Sequence, residues 1–294
     1  MNNKVYKVLV LLKPGDVQPA VERAAEFARF VPELQFTAVR VLNNVKESDK
    51  ANAENSANRE LLDIQKKHPS IVNFESKVIF SDNVANAFIA ESKNGYDLAV
   101  ISANKRHTIR DLFVSNIDST IMGGIKIPLL VVQSASAAHR AGPVIMVAID
   151  LRASDHDEKL DDVLVEKAKR FAEKFNGEVH LANCILPHNP GYSGRRITTE
   201  HTIQGGRTRA DIRNDLVASF AKKHDIDLER CHVVEGRLDE ELPRLANQLN
   251  ARMICMGVDE KEGSGALFSK DTNTSELMLD QVHGDLFVIN RQLV

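Results

Sequence analysis

Two polar loops hold the residues that could do chemistry in this sequence. The first, ISANKRHTIRDLFVSNIDSTI from Ile101 to Ile121, follows an apolar run and carries Lys105, Arg106, His107 and Arg110. Ammonium and guanidinium groups at that density can hold an anion through side chains alone, although a solvated basic loop has the same composition. The second, GVDEKEGSGALFSKDTNTSELM from Gly257, carries Gly263, Ser264 and Gly265. Where Cβ atoms are missing, backbone N–H groups can approach an oxyanion closely. Asp259, Glu260 and Glu262 stand in the same loop and repel a triphosphate unless Mg²⁺ intervenes. Asn273 or Thr274 is placed to cap a following helix, and glycines that only serve turns are the plainer alternative.

Other constellations are weaker. Asp155, His156 and Asp157 are adjacent, so they cannot all face one ion, and a helix cap accounts for them without a metal. PHNPGYSGRRITTEHTIQGG, residues 187–206, is a polar insert whose His188, His201, Arg195 and Arg196, with Arg207 and Arg209 beyond it, form either an anion-binding set or a solvated lid. Cys184, Cys231 and Cys255 lie in apolar stretches without metal-ligand spacing and read as inert thiols. No G-x-S-x-G elbow, P-loop or Cys-His dyad is present, so no catalytic residue and no metal ligand is assigned.

These loops are set in short β-branched runs alternating with helix-period segments. Strands are expected at Val5–Leu12, Phe36–Leu42, Glu75–Phe80, Asp97–Ala103 and Pro128–Gln133, and again at Val144–Ile149, Val179–Leu186, Arg230–Glu235, Arg252–Met256 and Asp285–Ile289. QPAVERAAEFARFV repeats apolar residues at Val21, Ala24, Ala25, Ala28 and Val31, and DDVLVEKAKRFAEKF places Leu164, Ala168, Phe171 and Phe175 on one face. Strand-helix alternation favours a parallel sheet. Pairing Lys13 with Asp150, Thr37 with His180, Val78 with Val233, Asp97 with Ala251 and Leu130 with Phe287 gives a separation that is nearly constant after the third pair. That is the mark of an internal duplication. Domains are expected at 1–138 and 139–294, joined by SASAAHRAGP (Ser134–Pro143).

The 294 residues are 43% hydrophobic and 27% charged, with a net charge of -3, which gives no basic field for nucleic acid. The apolar run Val8–Leu12 is too short for a signal-peptide core or a membrane helix. The expectation is a cytoplasmic protein without a membrane span.

The strand "VIMVAID" ending in an acid, the fourth strand opening into "ICMGVDEKEGSGALFSKDTNTSELML", and the closing "GDLFVIN" resemble the universal stress protein domain. "YDLAVISANKRHTIRDLFVSNIDSTIM" leading to "IPLLVV" repeats the plan, so the chain resembles the tandem-domain members of that family. The resemblance implies two doubly wound, Rossmann-like five-stranded parallel sheets in the order 3-2-1-4-5. It also implies a role in the stress response, and a nucleotide site made by an aspartate after strand one and a G-x2-G-x9-G-[S/T] motif after strand four. In the first copy Lys13 stands for the aspartate and Ser102, Lys105 and Ser115 for the glycines, with Asn116 following. In the second copy Asp150 and Gly257 match, Gly263 and Gly265 fall mid-motif, and Thr272 and Asn273 replace the last pair.

The expected function is therefore non-catalytic binding of a small-molecule or lipid-like ligand, or of a partner, in degenerate nucleotide-type crevices. The alternative is ATP or AMP, with Mg²⁺, bound in the second domain with at most slow ATPase activity. The apolar fifth strands should face each other as an intramolecular pseudo-dimer, because leaving both edges open invites aggregation; a homodimer is a further option.

Overall fold

The structure, a computed structural model, describes residues 5–31, 33–103, 117–133, 142–151, 158–185, 207–258 and 282–294. It forms two compact units, Met1–Arg140 with Asp285–Leu293, and Ala141–Gly284.

The first unit alternates strictly: β1 (Tyr6–Leu11), α1 (Pro19–Ala28), β2 (Leu34–Leu42), α2 (Lys50–Lys67), β3 (Asn73–Phe80), α3 (Val84–Ser92), β4 (Leu98–Ser102), α4 (Ile117–Gly124) and β5 (Leu129–Val132). The strands lie in the order β3-β2-β1-β4-β5 and their pairs are parallel. Central strands run apolar on both faces because helices cover both: Leu9, Val10, Ala99, Val100, Leu129 and Leu130 have no exposed surface. On α1 the apolar stripe ends earlier than its period suggests. Val31 lies beyond the helix, and Arg23, a charge, is buried on the inner face with Val21, Ala24 and Ala25.

Arg23 is buried because of the last strand. DLFVIN, which closes the second copy in sequence, forms β10 (Asp285–Asn290) and sits in the sheet of the first unit, antiparallel to β5 with Leu286 opposite Val131 and Val288 opposite Leu129. Its first residue, Asp285, accepts hydrogen bonds from the Arg23 Nε–H and from the Gln133 N–H at 3.2 Å, while Arg23 also donates to Glu26 at 2.6 Å. Arg23 is 4% exposed and Asp285 1%. Burial pushes the Asp285 carboxyl up, and the guanidinium and the Gln133 amide pull against it. The pairing closes the β5 edge, which would otherwise present unpaired backbone.

The second unit comprises β6 (Val144–Ala148), α5 (Lys159–Phe175), β7 (Glu178–Ile185), α6 (Arg209–Lys223), β8 (Cys231–Glu235), α7 (Leu238–Gln248) and β9 (Met253–Val258). Its strands follow the order β8-β7-β6-β9, with parallel pairs throughout. The buried face of α5 is Leu164, Val165, Ala168 and Ala172, so Phe171 and Phe175 lie at its margin instead of on the core stripe. Small alanines let the helix approach the sheet, and Phe175 instead carries the Arg252 guanidinium 4.5 Å above its ring.

Candidate functional site

In a sheet of this order, the crevice opens at the carboxyl ends of the strands where the order reverses. Both matched pairs of residues lie there. Val10 is in register with Val100, which puts Lys13, just past β1, near Ser102, the last residue of β4; Val147 is in register with Cys255, which puts Asp150, just past β6, near Gly257, the penultimate residue of β9. Lys105, Arg106, Ser115 and Asn116 of the first loop, and Gly263, Ser264, Gly265, Asn273 and Thr274 of the second, lie outside the described residues. So do the insert 187–206 and the Asp155, His156, Asp157 run.

In the first unit the polar groups around Lys13 and Ser102 are bonded within the protein. Ser102, 6% exposed, accepts a hydrogen bond through Oγ from the Ala20 N–H at 3.0 Å. Ala20 is in the first turn of α1, where N–H groups lack helical partners and could meet a phosphate. Pro19, beside it, has no N–H to offer. The loop after β1 closes on itself through Gln18, which is 3% exposed. Its Oε1 accepts from the Lys13 N–H at 3.2 Å, and its Nε2 donates to the carbonyls of Lys13 at 2.8 Å and Gly15 at 2.7 Å. Gly15 has φ +106°, which the turn needs and side chains disfavour.

The second unit repeats the device with different chemistry. Asp161, in the first turn of α5 and 4% exposed, accepts from the Asp150 N–H through Oδ1 at 3.4 Å. The carbonyl of the same peptide group, that of Ile149, accepts from Asn183 Nδ2 at 2.9 Å. A trans peptide points its N–H and C=O in opposite directions. The strand end carrying Asp150 is therefore held from both sides, and two carboxylates, Asp150 and Asp161, stand at the mouth. Gly257 is also accounted for by packing: a Cβ there would lie 2.4 Å from Leu160 Cδ2. Glycine at this position lets the first turn of α5 lie over the end of β9.

Gln18, Asp161 and Asn183 do not belong to the family's nucleotide motif. A signal for the first two does exist. Pairing Val21 with Leu164 on the buried faces of α1 and α5 uses the same separation as Thr37 and His180, and it sets Gln18 on Asp161.

Elsewhere, α6 satisfies its own amino end with a capping box, Thr208 Oγ1 accepting from Asp211 N–H at 3.1 Å and Asp211 Oδ2 from Thr208 N–H at 2.8 Å. That end, opened by Gly205 and Gly206 in sequence, is thus engaged internally. A groove of about 480 Å³ between α1 and the end of α2 mixes Glu22 and Glu26 with Arg29, Lys67 and His68, so it favours neither sign of charge. Burial pushes the Cys184 thiol up to about 12 and raises Cys231 and Cys255 as well, leaving none a thiolate near neutral pH. Among the described residues no three His, Cys, Asp or Glu side chains are grouped to hold a metal ion, and no helix is long and apolar enough to cross a membrane.

Residues 143–276 match the sequence model of the universal stress protein family. The chain is 26% identical over 224 residues to a universal stress protein E homolog of Haemophilus influenzae, covering 74% of this chain and 70% of that one. It is 23% identical over 309 residues to universal stress protein E of Photorhabdus laumondii, covering 96% and 94%. In fold it is similar to a universal stress protein from Archaeoglobus fulgidus, with a TM-score of 0.67 at 16% identity over 98% of this chain and 97% of that one.

Proposed function

We propose that the chain is a universal stress protein, as the match of residues 143–276 to that family's sequence model supports, and that it acts in the stress response by binding, without catalysis. Its crevices take a small or lipid-like molecule or a partner surface in place of ATP held in the nucleotide-motif manner. One observation carries the reading. In both units a residue at the start of the helix after strand one, the cap residue Gln18 in the first and the first-turn Asp161 in the second, bonds the backbone of the residue that would face a nucleotide. In the first unit Ser102 consumes the Ala20 N–H and Gln18 holds Lys13. In the second, Asp161 holds the Asp150 N–H, and its carboxylate beside that of Asp150 opposes a phosphate.

Equilibrium dialysis of the full chain with labelled ATP and Mg²⁺ tests this. The expected result is no saturable binding at micromolar nucleotide. Micromolar binding lost in Asp150→Ala would instead assign the second unit to a nucleotide and overturn the proposal. A native mass spectrum of protein from its own host should carry a retained non-nucleotide mass if the ligand is a small molecule.

A further inference from the structure

On the sheet of the second unit, away from the crevice, three titratable side chains form a line. His180 Nδ1 is 2.9 Å from His232 Nε2, the ring planes agree within 4°, and the centroids are 5.2 Å apart. Rings stacked face to face cannot bring nitrogens inside van der Waals contact, so these lie end to end in nearly one plane. The centroid spacing is that of a hydrogen bond plus two ring radii. His180 Nε2 faces Glu178 Oε1 at 3.3 Å. With Glu178 ionised, His180 donates from Nε2 and leaves Nδ1 to accept the Nε2–H of His232. A first added proton still leaves one acceptor between the rings. A second leaves two N–H groups and two positive charges face to face.

The strand held by this contact is otherwise held in the unit by its ladder to β7 and by α6 packed on it. β8 ends the row β8-β7-β6-β9, so β7 is its strand partner in the unit. We propose that Glu178, His180 and His232 form a proton-operated latch that fastens β8 to β7 at neutral pH and loosens it when both imidazoles are charged. Burial and the neighbouring His180 hold the His232 pKa below its ordinary value of 6.5, so folding favours the neutral ring. The stability it contributes is present above that value and is lost as pH falls below it.

The other charged groups near the pair are few. Arg230 lies 3.3 Å from Glu178 Oε2, and Asp227 lies 3.8 Å from Arg230. The β6 residue in register with His180 is Met146, which is uncharged. On α7, Glu241 is felt by Cys184 further along β7, and on α6, Lys223 and His224 are engaged by Asp162 and Glu158 of α5.

Hydrogen exchange of the full chain at pH 7.5 and pH 5.5, corrected for intrinsic rates, reads the latch directly. Opening of Cys231–Glu235 should rise by at least about threefold at the lower pH, since each unit of pKa difference is worth a factor of ten, while β6 stays protected. His232→Asn should remove the pH dependence. Glu178→Gln, which keeps both rings, should move the loosening to lower pH by withdrawing the charge that favours the first proton. Equal protection of β8 at both pH values, an unchanged pH response in His232→Asn, or an unshifted onset in Glu178→Gln would each overturn the latch.

Discussion

Replacing Ser102 with alanine tests the internal bonding at the first crevice. The Ser102 Oγ is the acceptor for the Ala20 N–H at 3.0 Å, and both residues are buried, Ser102 at 6% exposure and Ala20 at 0%. With the hydroxyl gone, water has no ready path to that donor. A buried donor left unpaired costs about 1–3 kcal/mol, and loss of a helix-start acceptor independently suggests about 0.5–2 kcal/mol. The volume change is one oxygen atom, so the cavity contribution is small. At about 2–4 °C per kcal/mol for a domain of this size, the thermal midpoint should fall by several degrees. Calorimetry measures it, with hydrogen exchange at β1 and β4 assigning the loss to the first unit. The exposed Val17→Ser, at 59% exposure, should stay within about 0.5 kcal/mol of wild type. If Ser102→Ala does too, the hydroxyl is not occupying the helix start, and the protein does not bond its own groups there.

Asp285→Ala removes the buried carboxylate from the Arg23 guanidinium, which keeps Glu26, and should destabilise the first unit by up to about 3–5 kcal/mol, while Arg23→Met combined with Asp285→Leu should recover most of that loss in urea titrations. Gly257→Ala should cost about 1 kcal/mol, since the atom it meets is the end of the Leu160 side chain, which can shift; Leu160→Ala should relieve it, giving a coupling of at least about 0.5 kcal/mol in a double-mutant cycle. Burial, and then the hydrogen bond at 2.9 Å to Glu91, push Tyr96 from 10.0 up to about 12. Between those values the folded chain keeps a proton that the unfolded chain releases, so stability should fall as pH rises across that window. Ultraviolet titration should show Tyr96 ionising late, brought to lower pH by Glu91→Gln.

The period of the sequence marked the strands, because burial on both faces demands unbroken apolar runs wherever a strand lies inside a sheet, and the resemblance supplied the order 3-2-1-4-5 of the first set; the last strand, read as the fifth of the second set, lies in the first unit. Register puts Lys13 and Asp150 just past β1 and β6, and Ser102 and Gly257 at the ends of β4 and β9. What bonds the polar groups there was decided only in three dimensions. Gln18 precedes a helix and Asp161 stands in the acidic first turn of another, and nothing local says that either turns back to bond the residue after strand one. Gly257 matches a phosphate-loop glycine in sequence, yet what it faces is the side chain of Leu160, from a helix nearly a hundred residues earlier. Arg23 breaks an apolar stripe and reads as an error in the helix period until Asp285, at the far end of the chain, is brought against it. Hydrophobic periodicity is a property of neighbours along the chain, whereas a buried polar group is satisfied by whatever the fold delivers, and that partner has no fixed distance in sequence.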